Sequence, residues 1–156
     1  MKLRVVVTGM GVISPIGIGL RNFEEALFAG KSGITRITHF DASSYPSQIA
    51  GEVKNFDCRG HLSPKEIRRM DRFTQFGMVA AEEAIKGAGI DIEREDRRKI
   101  GILVGSGVGG LSTIEREETV LIKKGPQRVS PFLIPMLITD MVSAQIAIRY
   151  KFSGPN

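Results

Sequence analysis

The sequence predicts an α/β domain built around a parallel sheet, and three observations carry that reading. Residues 3–8 (LRVVVT) and 100–104 (IGILV) are apolar and rich in β-branched side chains, as strands buried on both faces are. Glycine-rich chain follows each run, at residues 9–17 and 105–110. An open α/β sheet places its binding crevice there, beyond the carboxyl ends of its strands. Stretches of helical spacing alternate with these segments, which is the pattern of strand and crossover helix.

Taken in order, the strand at 3–8 leads through a glycine loop to a helix at 22–29, where Phe23, Ala26 and Leu27 share a face and Gly30 provides the stop. Residues 31–62 read as an irregular excursion with a short extended piece at 49–53. Ser63-Pro64-Lys65-Glu66 is a helix start, with a capping serine, a proline in the first turn and a glutamate placed for a capping box. Asp71 is placed to cap a longer helix reaching Ala88. Its face of Phe73, Phe76, Gly77, Ala80, Ala84 and Ala88 suits close packing on a sheet. After the central strand, 111–124 reads as a helix with a charged face, broken by Gly125-Pro126. Residues 130–135 read as a short apolar turn, and Thr139 or Asp140 caps a last helix to Tyr150. The closing Ser153-Gly-Pro-Asn156 is a turn where this pattern asks for another strand, so the reading expects a truncated domain.

Composition narrows the classes of function. At 156 residues the chain has one domain's length, with 42% apolar and 25% charged residues, as in ordinary globular proteins. No apolar run approaches the roughly 18 residues of a membrane span. The apolar stretch after Lys2 is too short for a signal peptide, so the reading is cytoplasmic, with no membrane partner. A single cysteine, Cys58, excludes an internal disulfide and a cysteine-based zinc cluster. A net charge of +5 favours an acidic partner. The absence of Trp weighs against base stacking on single strands, and no helix-turn-helix signal supports DNA binding.

Several motifs invite a sharper reading than they carry. Gly105, Gly107 and Gly110 satisfy G-x-G-x-x-G, and Gly9 with Gly11 its first half. A dinucleotide site also needs a second strand ending in an acidic residue about 20 positions on. Neither window has one, so close packing explains the glycines better. Cys58 and His61 suggest a thiolate–imidazole pair only by proximity, and a buried cysteine is the better reading. His39 has no partner pattern, and Met70, Met78, Met136 and Met141 read as core filler. Lys65, Arg68, Arg69 and Arg72 fall on one helical side, either as a solvated face or as a dock for a carboxylate- or phosphate-rich partner. Val108 is the only bulky side chain in residues 105–110 and is read as facing a pocket.

VVVTGMGVISPIG (residues 5–17), KSGITRITHFD (31–41), MDRFTQFGMVAAEEA (70–84), IGILVGSGVGGL (100–111) and SPFLIP (130–135), in this order, resemble the β-ketoacyl-acyl-carrier-protein synthases. The similarity covers the whole chain and is closest to the KAS II group that elongates fatty acids. It implies a thiolase-like fold, layered α-β-α-β-α in an obligate homodimer, of which 1–156 forms most of the N-terminal half. The implied activity is a decarboxylative Claisen condensation of malonyl-acyl carrier protein with an acyl-enzyme thioester, which requires no metal or redox cofactor. The family's nucleophile sits in a Thr-Ala-Cys motif just after Gly-Pro-Asn, and its histidines and lysine lie further on. The resemblance therefore gives Cys58, His39 and His61 no catalytic role and implies that the chain alone is inactive. It implies instead that Val108 gates the acyl pocket and that Leu133 reaches across the dimer to line the partner's pocket. Lys65, Arg68, Arg69 and Arg128 match the carrier-protein docking patch. A polyketide ketosynthase or chain-length factor, and a non-catalytic carrier-binding module, remain as alternatives.

Overall fold

The computed structural model describes residues 3–156. They divide into two compact units, 3–57 with Ala80–Gly89, and Cys58–Val79 with Ile90–Asn156.

In the first unit a two-residue turn joins β1 (Ile13–Ser14) and β2 (Gly17–Ile18) as an antiparallel pair. The Ser14 hydroxyl organises that turn, donating to the Gly17 carbonyl and accepting from the Gly17 N–H. Helix α1 (Leu20–Phe28) follows Gly19, whose φ is 84°. Gly30 stands just beyond it at φ 63°, the left-handed stop that its position foretells. The extended piece foreseen at 49–53 is β4 (Ile49–Gly51), and it pairs antiparallel with β3 (Ile34–Arg36), a partner that the sequence did not announce. The buried carboxylate of Glu52 accepts from the Thr38 hydroxyl and from the backbone N–H groups of Thr38 and His39. Those bonds, the Thr38 pair first, hold its pKa down at about 2.

Residues 3–8 correct the strand reading. They belong to no ladder among the described residues, and Leu3 and Val5 are 94% and 93% exposed. A parallel strand takes its hydrogen bonds from neighbours on both edges, and none of the described residues supplies them. The glycines that follow are packing glycines. A Cβ on Gly9 would lie 2.1 Å from the Ala84 carbonyl oxygen, and one on Gly11 would lie 2.0 Å from that of Ala80. The small face of the helix thus admits extended chain, and no room remains at Gly9 and Gly11 for a pyrophosphate.

The second unit is mostly helical. Ser63 and Glu66 form the expected capping box on α2 (Pro64–Ile67). Helix α3 (Arg72–Gly87), which belongs to this unit as far as Val79, begins where the Asp71 carboxylate accepts the Phe73 N–H. A 3-10 turn at Arg97–Lys99 precedes the second apolar run, and α4 (Leu111–Lys124) ends at Gly125, as the sequence predicts. A further 3-10 turn, Pro126–Arg128, leads to residues 130–135, read as a turn. The structure continues them as a helix, α5 (Leu133–Leu137), because Pro135 falls in its first turn, where no backbone donor is needed. Helix α6 (Met141–Tyr150) has Asp140 at its N-cap, but the carboxylate makes no cap bond; the Asp140 carbonyl accepts from the Ser143 hydroxyl instead. Met70, Met78 and Met136 are buried with Leu62, Val142, Ile146 and Phe152, while Met141 is half-buried. Gly77 lets α3 meet α6, since a Cβ there would lie 2.3 Å from Val142 Cγ1.

Residues 100–104 also form no ladder among the described residues, and Leu103 is fully exposed. One edge is engaged: the Ile102 N–H donates to the Pro155 carbonyl at 2.8 Å. The glycines at 101 and 154 let the two backbones meet.

Candidate functional site

Every side chain singled out for function lies in the second unit, and α5 connects them. The glycine turn between the second apolar run and α4 is held at several points. The Ser106 hydroxyl accepts the Gly109 N–H at 3.2 Å, closing a small turn with Val108 inside it. Gly109 has φ 79°, and the Gly110 N–H donates to the Leu137 carbonyl at the end of α5, 3.0 Å away. Neither glycine has room for a side chain, because a Cβ would sit 2.2 Å from Leu137 O at Gly109 and 2.4 Å from Met136 O at Gly110. Gly105 and Gly107, by contrast, face open space. Val108 is 61% exposed at the head of this turn, and Leu133, half-buried, is the first residue of α5. Both pocket candidates are therefore carried by one short helix, Leu133 directly and Val108 through the turn seated on its far end. A shallow groove along α4, lined by Ser112, Glu115, Arg116, Thr119 and Lys123, includes neither.

Lys65, Arg68 and Arg69 are exposed on and just after α2, and Arg128 is exposed on the turn after α4. A helix of this length does not stand on propensity alone. It is fixed at Glu66, whose carboxylate caps the Ser63 N–H and accepts from Arg149 of α6 at 2.8 Å. Bonds from Ser63, then Arg149, hold the Glu66 pKa down at about 2, so the group stays charged. The cations are not equivalent. The Arg69 guanidinium lies over the Phe132 ring, 4.5 Å from its centroid, while Arg72 covers Phe76 at 5.2 Å. Arg69 thus touches the residue immediately before Leu133, and the cationic face meets the start of α5.

Three supports escaped the sequence reading. Asp71, foreseen only as a cap, also accepts from the buried Thr113 hydroxyl at 2.5 Å. Glu117, also buried, accepts the Ser130 N–H at 2.8 Å, which keeps its carboxyl below the usual range and pins the loop before α5. The Ser130 hydroxyl in turn accepts the Phe132 N–H. Thr113 and Glu117 stand one turn apart on α4, and that spacing of polar residues on its inward face was the available signal. Cys58 is buried with its thiol 3.4 Å from the Gln75 side-chain oxygen, and the backbone N–H of His61 donates to the Cys58 carbonyl. That geometry is a turn with a buried cysteine, as the sequence favoured.

A sequence profile of the β-ketoacyl synthase N-terminal domain matches residues 2–156. The chain is 48% identical over 99% of its length to 3-oxoacyl-[acyl-carrier-protein] synthase 2 of Staphylococcus aureus, and 44% identical over 99% to the Vibrio cholerae protein of the same name. It spans 37% of the length of either relative. Among solved structures, the ishigamide ketosynthase/chain length factor superposes with a TM-score of 0.83 at 30% identity, over 96% of this chain and 38% of that one. A type II polyketide ketosynthase, solved with its acyl-carrier protein and bound to the hexaketide, matches with a TM-score of 0.78 at 26% identity, over 95% of this chain and 39% of that one.

Proposed function

The chain belongs to the β-ketoacyl synthases through its N-terminal domain and has their thiolase-like α/β fold; from that premise we propose that it serves a fatty-acid-elongating synthase of the KAS II type. The whole protein takes an acyl group from its carrier onto a cysteine thiolate. Malonyl-carrier protein then loses carbon dioxide, and the resulting enolate carbon attacks the acyl carbonyl. A carbon–carbon bond forms, and the cysteine leaves as thiolate. No residue of 1–156 is assigned to those covalent steps. In this reading, Val108 gates the acyl pocket and Leu133 reaches into the pocket of the second protomer of a homodimer. Lys65, Arg68, Arg69 and Arg128 dock an acidic acyl carrier protein in the cytoplasm. Among the described residues no helix is long and apolar enough to cross a membrane.

The observation that carries the reading is the glycine turn itself. Its only bulky side chain is Val108, and it sits on the helix that begins at Leu133. The cationic face complements an acidic carrier in sign, and such complementarity governs encounter more than chemistry. The test is therefore a separation of the two. In the full-length protein, Arg68→Glu with Arg69→Glu weakens carrier binding by about tenfold or more, while small acyl thioesters turn over within about twofold of the parent. Equal loss on both substrates removes the docking role. A type II polyketide ketosynthase and a ketosynthase/chain length factor among the structural matches favour a second reading, a polyketide ketosynthase or chain-length factor. Successive unreduced extensions from malonyl-carrier protein would select it. Carrier binding without any condensation would reduce the protein to a binding module.

A further inference from the structure

Asp71 is a buried carboxylate that the proposed reaction does not use. Its Oδ1 accepts the Phe73 N–H at 3.2 Å, and its Oδ2 accepts the Thr113 hydroxyl at 2.5 Å. Thr113 is fully buried in the first turn of α4, and its oxygen also receives Arg116 Nη2 at 3.5 Å. A Cβ on Gly110 would stand 3.1 Å from Asp71 Oδ2 and 2.4 Å from Met136 O, so this backbone is confined between the carboxylate and α5. Val108 comes two residues earlier, in the turn closed by Ser106 and Gly109.

A β-branched side chain has little rotamer freedom of its own, so where Val108 stands is decided by the backbone that carries it. We propose that Asp71 and Thr113 act as a pair of positioning residues that fix the glycine turn and thereby set the acyl chain length the pocket accepts. The proposal rests on the reading of Val108 as the pocket gate. A merely stabilising pair lowers activity on all chain lengths alike. A positioning pair changes the ratio between long and short ones.

The experiment uses the full-length protein with acyl N-acetylcysteamine thioesters of graded length, so that carrier docking plays no part. Thr113→Val keeps the shape and removes the hydroxyl; Thr113→Ser restores it. The long-to-short ratio of kcat/KM shifts by about tenfold in Thr113→Val, the scale on which one methylene matters in an apolar pocket, and returns to the parent value in Thr113→Ser. Asp71→Asn, which keeps one acceptor oxygen and can meet the Thr113 hydroxyl with an amide N–H instead, shifts the ratio less than Asp71→Ala. A uniform fall across chain lengths, or an unchanged ratio, overturns the proposal. Amide hydrogen exchange at residues 109–111, read on the same variants, keeps it distinct from the function beneath it. Faster exchange in Thr113→Val supports the clamp even if the parent protein transfers no acyl group, and unchanged exchange overturns the clamp whatever the activity.

Discussion

Val108 is the only bulky side chain in a stretch of six residues, and the turn that carries it is fastened to α5 and closed by Ser106. Enlarging it cannot be absorbed by the backbone, because Gly109 and Gly110 have no room to retreat. Val108→Phe in the full-length protein therefore shortens the longest acyl chain accepted and spares the short ones, as product analysis by chain length would read. An unchanged profile would take Val108 out of the pocket. The glycine cluster was legible as a place of close approach, but not which glycine serves which purpose. Gly109 and Gly110 accommodate α5, while Gly105 and Gly107 face open space. That division depends on a helix more than twenty residues further along the chain, and no local pattern encodes it.

Helices declare themselves where capping chemistry is local. The box at Ser63 and Glu66, the glycine stop after α4 and the cap at Asp71 all follow from residues within one turn of each other. The apolar runs 3–8 and 100–104 were read as strands from composition, yet a strand exists only in its partners, and composition is silent about those. β4 was foreseen as extended chain, but its partner β3 was missed for the converse reason, being short and exposed with no alternation to mark it. Two tests belong at this scale. Gly77→Ala gains helix propensity worth about 1 kcal/mol, but its methyl meets buried, β-branched Val142 at 2.3 Å, and overpacking costs about 1–3 kcal/mol. The clash wins: Tm falls, and Val142→Ala in the same chain restores part of it. Glu66 supplies the second. Its folded pKa of about 2 lies below the ordinary carboxylate value near 4.3, so its contribution is complete above that value and fades as pH falls toward 2. With the side chain 37% exposed, solvent screening limits the effect to about 1 kcal/mol or less. Acid denaturation of Glu66→Gln is correspondingly flatter between pH 4.5 and 2; parallel curves for parent and variant would remove the Glu66 charge from the account.

At the scale of the molecule, apolar surface is the conspicuous feature. Leu3, Val5, Val7 and Leu103 stand in extended chain at 81% exposure or more, with backbone donors and acceptors outside any ladder among the described residues. Open edges of this kind recruit other chains. The 156-residue chain produced by itself should bind a dye such as ANS and associate with rising concentration, and a sharp, cooperative melt of a monodisperse sample would contradict that expectation.

The bond between Glu66 and Arg149 spans 83 residues. During synthesis the cationic segment leaves the ribosome long before the arginine that steadies it, and four residues of helix do not hold themselves in the interval. Its charges are present from the start, but their arrangement is not. A nascent chain thus carries only a loose cluster of positive charge there until α6 has folded back, so a fixed cationic face reports that the second unit has been assembled.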